Sequence, residues 1–363
     1  MIKVLDIERF KGFPQVSVSF RKLTLLAGEN ATGKSSVIQA FLLLKQSHVH
    51  DDQLRSLILN GGWAKVGTAL DAVYSESDER SILFRLRTDD VENSVEFVFS
   101  YPKGQANVHV LKREGKTGPA PEFLRAGWTH LAAERLGPRA LYPMDYRVSD
   151  YPSVGQQGEY TAHCLALFGE DRINNEGLIH PASKGLGSLL IQTRMWMQSI
   201  VPGVDLKVLP IGEADQVRIE MKVGEKARRY LRPTNVGFGI SYTLPIVVGA
   251  LMAKSGSLMF VENPEAHLHP KGQSAIGRFL ALAANSGVQM VVETHSDHLL
   301  NGVRLAVKHG DVPATDVSIQ FFARGEGETT PEILTLIVDT EGRIGDWPRG
   351  FFDQLEQDLV ELY

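Results

Sequence analysis

"KLTLLAGENATGKSSVIQAFLLLKQSH", residues 22–48, decides the fold. Leu23 to Ala27 form a short apolar run ending at glycine, the signature of a buried strand, and Val37, Ile38, Phe41, Leu42 and Leu44 then recur at helical spacing. Between them lies a match to G-x-x-x-x-G-K-[ST], with Gly28, Gly33, Lys34 and Ser35 in the defining positions. Glycines let backbone N–H groups curl around phosphate oxygens, a lysine reaches the β- and γ-phosphates, and a hydroxyl ligates Mg²⁺. Strand, glycine loop and helix in that order specify more than the motif alone. Asn30, Ala31, Thr32, Gly33, Lys34, Ser35 and Ser36 are therefore the expected phosphate contacts, with ATP and Mg²⁺ as the bound species.

A phosphate loop needs a second carboxylate, at the end of an apolar strand, to hold Mg²⁺ through water. "SLMFVE" supplies Glu262, which makes Ser35 and Glu262 the expected metal residues. A second apolar run, "VQMVVETHS", ends near His295, 33 positions after Glu262, where an imidazole can donate to a γ-phosphate or to the attacking water. The stretch "ENPEAHLHP" also admits a metallohydrolase built on Glu262, Glu265, His267 and His269, although that reading leaves the phosphate loop without a purpose.

Composition narrows the class. A chain of 363 residues with 43% hydrophobic residues can bury a substantial core. A formal charge of −5 argues against a uniformly basic, DNA-coating surface and leaves local patches such as Lys226, Arg228, Arg229 and Arg232 in "KARRYLR", more simply read as a charged strand face. The single cysteine, Cys164, excludes an internal disulfide, suits a reducing cytoplasm and is expected to be buried. No uncharged run reaches the ~20 residues of a membrane span, and "GFGISYTLPIVVGALMA" from Gly237 reads as a buried helix.

The expected fold is α/β, a P-loop NTPase like the head of an ABC ATPase, with a mixed sheet, an antiparallel meander over about 79–112 and an inserted, mostly helical middle region. The expected organisation has an N-terminal lobe 1–135, a middle region 136–230 and a C-terminal lobe 231–363. Asp-Asp at 89–90 and "GKTGPAPE" punctuate the meander, "WTHLAAERLGPR" reads as strand-like, and "FFDQLEQDLVELY" suits a docked amphipathic helix built on Phe351, Phe352, Leu355, Leu359 and Leu362.

The succession of phosphate loop, glycine segment, "ENPEAHLHP" and "ETHSDH" resembles ABC-type ATPase heads of the RecF-like and OLD-like branch. "IERFKGF" looks like that branch's N-terminal strand and turn, and "GRIGDWPRGFFDQ" like the C-terminal block of a group of prokaryotic ATPases within it. The resemblance covers roughly 1–50 and 230–353. It implies that Glu262 is the Walker B acid, that His295 is the switch histidine and that Lys11 lies near the nucleotide. Gly237, Gly239 and Ser241 in "NVGFGISYT" would form the signature that meets the ATP of a second subunit, although the usual Ser-Gly-Gly pattern is altered there. Arg135 and Arg139 would contact phosphate or transmit nucleotide state. It further implies a homodimer or higher oligomer of ATP-sandwiched heads and a separate effector, a nuclease or toxin. About 65 residues follow "THSDH", which leaves little room for a nuclease domain of the ~100 or more residues typical of a separate domain, so a stand-alone ATPase is the expectation. Anti-phage defence is the leading context, RecF-like DNA repair the second, and an ATP-sensing scaffold the third reading.

One substitution sets the expected rate. The position after the Walker B acid, where a glutamate usually polarises water, holds Asn263, and an amide cannot accept a proton at neutral pH. Either Glu265 or His295 supplies the base, or turnover is slow.

Overall fold

The computed structural model describes residues 1–89, 94–115, 120–150, 152–224, 226–324, 330–345, 347–348 and 350–362. Asp90, residues 116–119 of "GKTGPAPE", Asp346 and Arg349 of the C-terminal block, and the side chain of Leu355 lie outside them. The chain forms two compact units. One comprises Met1–Ala126, Ser318–Ile337 and Gly345–Tyr363, and the other Gly127–Val317 and Val338–Ile344.

The first unit begins with β1 (Ile2–Phe10), β2 (Phe13–Ser19), β3 (Leu23–Gly28) and α1 (Lys34–His50). It continues through β4 (Ser56–Ile58), α2 (Ala69–Ala72), β5 (Ser81–Thr88), β6 (Val95–Ser100), β7 (Val110–Arg113) and α3 (Glu122–Arg125). The meander does not stand alone: it joins the N-terminal hairpin in one antiparallel sheet of order β2-β1-β5-β6-β7-β4. A two-residue Lys11-Gly12 turn sets Phe10 opposite Phe13, and Lys11 takes the positive φ of 53° that tight hairpins favour. Phe10, Phe84, Phe97 and Phe99 are almost wholly buried, with Phe10 and Phe84 edge to face at 5.3 Å.

The second unit holds β8 (Trp128–Leu131), β9 (Tyr142–Pro143), α4 (Arg147–Asp150), α5 (Thr161–Phe168), α6 (Leu189–Ile200), β10 (Asp205–Ile211) and β11 (Gln216–Lys222). Next come α7 (Phe238–Met252), β12 (Leu258–Glu262), α8 (Pro270–Asn285), β13 (Gln289–Glu293) and α9 (Asp297–Lys308). β8, β12 and β13 pair in parallel, with Phe260 beside both His130 and Val291. Parallel strands covered on both faces need continuous apolar runs, which "LMFV" and "QMVV" provide. α7 is the expected buried helix, and Cys164 is fully buried.

β14 (Val317–Ala323), β15 (Glu332–Ile337) and α10 (Gln354–Leu362) follow, and nearly all of this stretch belongs to the first unit. The chain thus divides into two units where the sequence suggested three. Residues 136–230 share a core with 231–317, because Trp196 of α6 stacks at 5.1 Å on Phe279 of α8. Three local expectations are corrected. Only Trp128–Leu131 of "WTHLAAERLGPR" is strand, and the basic residues 226–229 lie in an irregular loop rather than on a strand face. The C-terminal helix is not docked over its described side chains: Leu359, Val360 and Leu362 are 42%, 80% and 75% exposed, although Phe351 before it is fully buried.

Candidate nucleotide site

The phosphate loop closes between β3 and α1 through two obligatory glycines. Gly28 has φ +135°, and a Cβ there would sit 2.1 Å from the Phe322 carbonyl oxygen. Gly33 has φ +98°, and a Cβ there would meet the Phe13 ring at 2.3 Å. Ala31 also adopts a left-handed φ of 61°, and the Thr32 hydroxyl donates to the Glu29 carbonyl at 2.8 Å. Lys34 is the first residue of α1 and is almost fully buried. Its Nζ folds back to donate to the carbonyls of Gly28 (2.9 Å) and Glu29 (2.5 Å). Gly33 caps α1 without a side-chain hydrogen bond, and no acid lies in the first turn, so the helix presents its positive end to the loop. Asn30, Ala31 and Ser35 are exposed there, and Ser36 is half-buried.

Lys11 donates to Gln39 of α1 at 2.7 Å, and burial lowers its pKa against the opposing pull of Asp71. It thus stands on the second turn of α1. Arg324, just past the end of β14, donates to the Ala31 carbonyl at 2.8 Å. This loop contact was not read from the sequence, because it joins residues 293 positions apart.

In the second unit, Glu262 ends β12 and pairs through Oε1 with Nε2 of His130, 2.8 Å away on β8. An ionised carboxylate only accepts, so the imidazole donates. Arg135, 3% exposed, donates to the carbonyls of Ala132 (2.8 Å), Glu262 (2.6 Å) and Asn263 (2.7 Å), and its guanidinium lies 5.2 Å from the centre of the Tyr242 ring. Burial brings its pKa down to about 10, which leaves it charged at neutral pH. Arg135 therefore holds the strand end in shape from within the core rather than reaching a phosphate, while Arg139 is exposed.

Asn263 takes a left-handed φ of 45°, with its N–H donating to Glu293 at 2.9 Å and its Oδ1 buried without a hydrogen-bond partner. Two residues on, Glu265 accepts from the backbone N–H of His295 at 2.8 Å through Oε1, and its Oε2 is likewise buried without a partner. Burial raises the Glu265 pKa. Asn263, Glu265 and His295 are thereby brought together, with the His295 side chain exposed. His267 instead packs edge-on against Tyr242 and at a tilt against Phe238, and His269 caps α8 by accepting from Lys271 N. The four residues of the metallohydrolase reading thus point to four different partners, and among the described residues no group of three His, Cys, Asp or Glu side chains could hold a metal.

The signature-like segment opens α7. Gly237 is its N-cap, and Gly239 is a position where a Cβ would lie 2.6 Å from the His267 carbonyl oxygen. Ser241 is 5% exposed, inside the first turn.

Comparison with known proteins agrees with this architecture. Residues 1–124 match the family model described as "AAA ATPase domain", and residues 188–301 the model described as "AAA domain, putative AbiEii toxin, Type IV TA system". Residues 312–362 match "Protein of unknown function (DUF3696)". No curated protein matches the chain. Among solved structures, an Smc head bound to the C-winged helix domain of ScpA aligns with TM-score 0.55 at 12% identity, over 93% of this chain and 98% of that one. An Smc head with an extended coiled coil, bound to the C-terminal domain of ScpA from Pyrococcus furiosus, aligns with TM-score 0.54 at 12% identity, over 99% of each chain. Two segments of the chain are therefore similar to AAA-type ATPase domains, a likeness that points to nucleotide binding, and the α/β fold is similar to SMC heads. Among the described residues no helix is long and apolar enough to cross a membrane.

Proposed function

We propose that the protein is an ATP-binding, slowly hydrolysing P-loop ATPase that dimerises around ATP and drives a separate effector in prokaryotic anti-phage defence. The observation that carries ATP binding is the phosphate loop, where Lys34, Gly28 and Gly33 adopt the geometry that the motif needs. Ser35 and Glu262 offer only oxygen donors, a hard set that suits Mg²⁺. Bound there, Mg²⁺ would neutralise charge on the β- and γ-phosphates. His130 and Arg135 fix the Glu262 end of that set.

For hydrolysis, Glu265 is the group that takes the proton from water. Its carboxylate is held by His295 N–H, keeps one oxygen without a partner and has a pKa raised by burial. Asn263 Oδ1 orients that water and cannot deprotonate it. His295 contacts the γ-phosphate. Gly237, Gly239 and Ser241 meet the second subunit's ATP, with Ser241 acting through the helix start it packs within.

The model matched over 188–301 takes its name from a toxin of a toxin–antitoxin system, which supports an effector-linked role. Steady-state phosphate release tests the enzyme reading: it is expected to be slow and to vanish in Glu262→Gln, while no release from the wild type would favour an ATP-sensing scaffold. The cations Lys226, Arg228, Arg229 and Arg232, set in and just after a surface loop, favour a second reading, DNA maintenance, for which DNA-stimulated turnover is the readout.

A further inference from the structure

An apolar pocket of about 580 Å³ opens in the second unit between the end of α6, the loop after β11 and the starts of α7 and α8. Val201, Val223, Leu231, Val236, Ile240 and Leu268 form its walls. Among the described residues its lining includes the cations Arg229 and Lys271 and no carboxylate. The start of α7, without a side-chain cap or an acid in its first turn, adds the positive end of a helix. Val223 and Leu231 are each 42% exposed, so the apolar wall reaches the surface. This combination fits an apolar segment that carries negative charge.

The chain itself has such a segment. Leu359 and Leu362 stand three positions apart on one helical face of α10, both well exposed, and Val360 is 80% exposed. Asp358 and Glu361 are interleaved with them, and Gln354–Leu362 contains no Lys or Arg. The stretch leading into α10 is anchored by the phosphate loop: Phe351 packs on Phe321 of β14 at 5.1 Å, and a Cβ on Gly350 would lie 3.8 Å from Glu29 Oε1. α10 therefore leaves the first unit beside the loop, whereas the pocket is lined by Gly237 and Gly239 of the signature-like segment. In a head-to-head dimer one copy's loop faces the other copy's signature, which brings these two features together.

We propose that α10 of one copy docks in this pocket of a second copy, with Leu359 and Leu362 against the apolar wall and its carboxylates towards Arg229 and Lys271. The inference rests on the head-to-head reading of the ATP-bound dimer, and it makes the C-terminal helix a latch on that dimer.

Cross-linking tests it against a low background, because the one native cysteine, Cys164, is fully buried. Leu359→Cys and Leu231→Cys variants are purified separately, mixed with ATP and Mg²⁺, and mildly oxidised, with molar mass followed in parallel by light scattering. A disulfide-linked dimer is expected in the mixture, well above either variant alone. A dimer on light scattering without that cross-link overturns the latch and leaves the head dimer standing. A cross-link that forms equally without ATP keeps the latch and overturns the ATP-dependent dimer; neither dimer nor cross-link overturns both. An internal disulfide in the doubly substituted monomer overturns the choice of a second copy. As a further check, Leu359→Asp with Leu362→Asp, both at exposed positions, is expected to weaken dimerisation at least tenfold, and an unchanged dimer would contradict the latch.

Discussion

The Glu262 carboxylate sits 2.8 Å from the His130 imidazole, a hydrogen bond between the end of β12 and its parallel neighbour β8. Because the two strands run in register, with Phe260 beside His130, the imidazole reaches two residues along to the strand end. A partner of this kind orients a carboxylate for metal binding, and its loss typically costs 10- to 100-fold in metal affinity. His130→Ala is therefore expected to raise the Mg²⁺ concentration for half-maximal phosphate release by about 10-fold or more. An unchanged Mg²⁺ dependence would remove His130 from the site.

Arg135 gives the second prediction. Three backbone carbonyls take hydrogen bonds from one buried guanidinium, and bonds to charged groups contribute about 1.5–3 kcal/mol each. Arg135→Ala is expected to destabilise the protein by about 3 kcal/mol or more and to abolish turnover. Arg135→Lys, with a single point charge for three acceptors, is expected to recover only part of the stability. Urea denaturation of both variants checks this, and a loss under about 1 kcal/mol in Arg135→Ala would contradict it.

The pH profile addresses Glu265. A base works only when deprotonated, so a carboxyl whose pKa is raised by burial gives an acidic limb in kcat above the ordinary glutamate range. Glu265→Gln is expected to remove that limb and nearly all turnover while ATP still binds. Stability carries the opposite sign. Burial disfavours the charged form, so wild type is expected to lose stability relative to Glu265→Gln as pH rises from the unfolded-state pKa to the raised folded-state pKa, and to regain it in acid. A limb that persists in Glu265→Gln would assign it to another group.

Asn263 tests the rate. Asparagine tolerates the left-handed backbone at φ 45° better than glutamate does. Asn263→Glu is expected to speed phosphate release while lowering stability by about 1 kcal/mol. A rate equal to or below wild type would mean that position 263 does not face the attacking water.

Much of the fold was legible because its decisive pieces are local. "LTLLAGENATGKSS" is a buried strand, loop and helix start within one stretch, and "LMFVE" shows its end by a change from apolar to acidic. What was illegible lies between distant residues. His130 meets Glu262 across 132 positions through strand register, Arg135 reaches the same strand end across 127, and Arg324 reaches the phosphate loop across 293. The histidine in the apolar run "WTHL" was the available signal, since a buried strand does not take an imidazole without a partner. The amphipathic pattern of α10 was visible, but periodicity does not state what covers the apolar face, and in this chain Leu359 and Leu362 stay exposed.

Molar mass by light scattering, with and without ATP, tests the ATP-bound dimer most directly. Wild type is expected to rise from 40.1 kDa to twice that value when ATP and Mg²⁺ are added, and Lys34→Ala to stay at 40.1 kDa. A mass that ignores ATP, or a doubling that survives in Lys34→Ala, would contradict an ATP-bound dimer of heads.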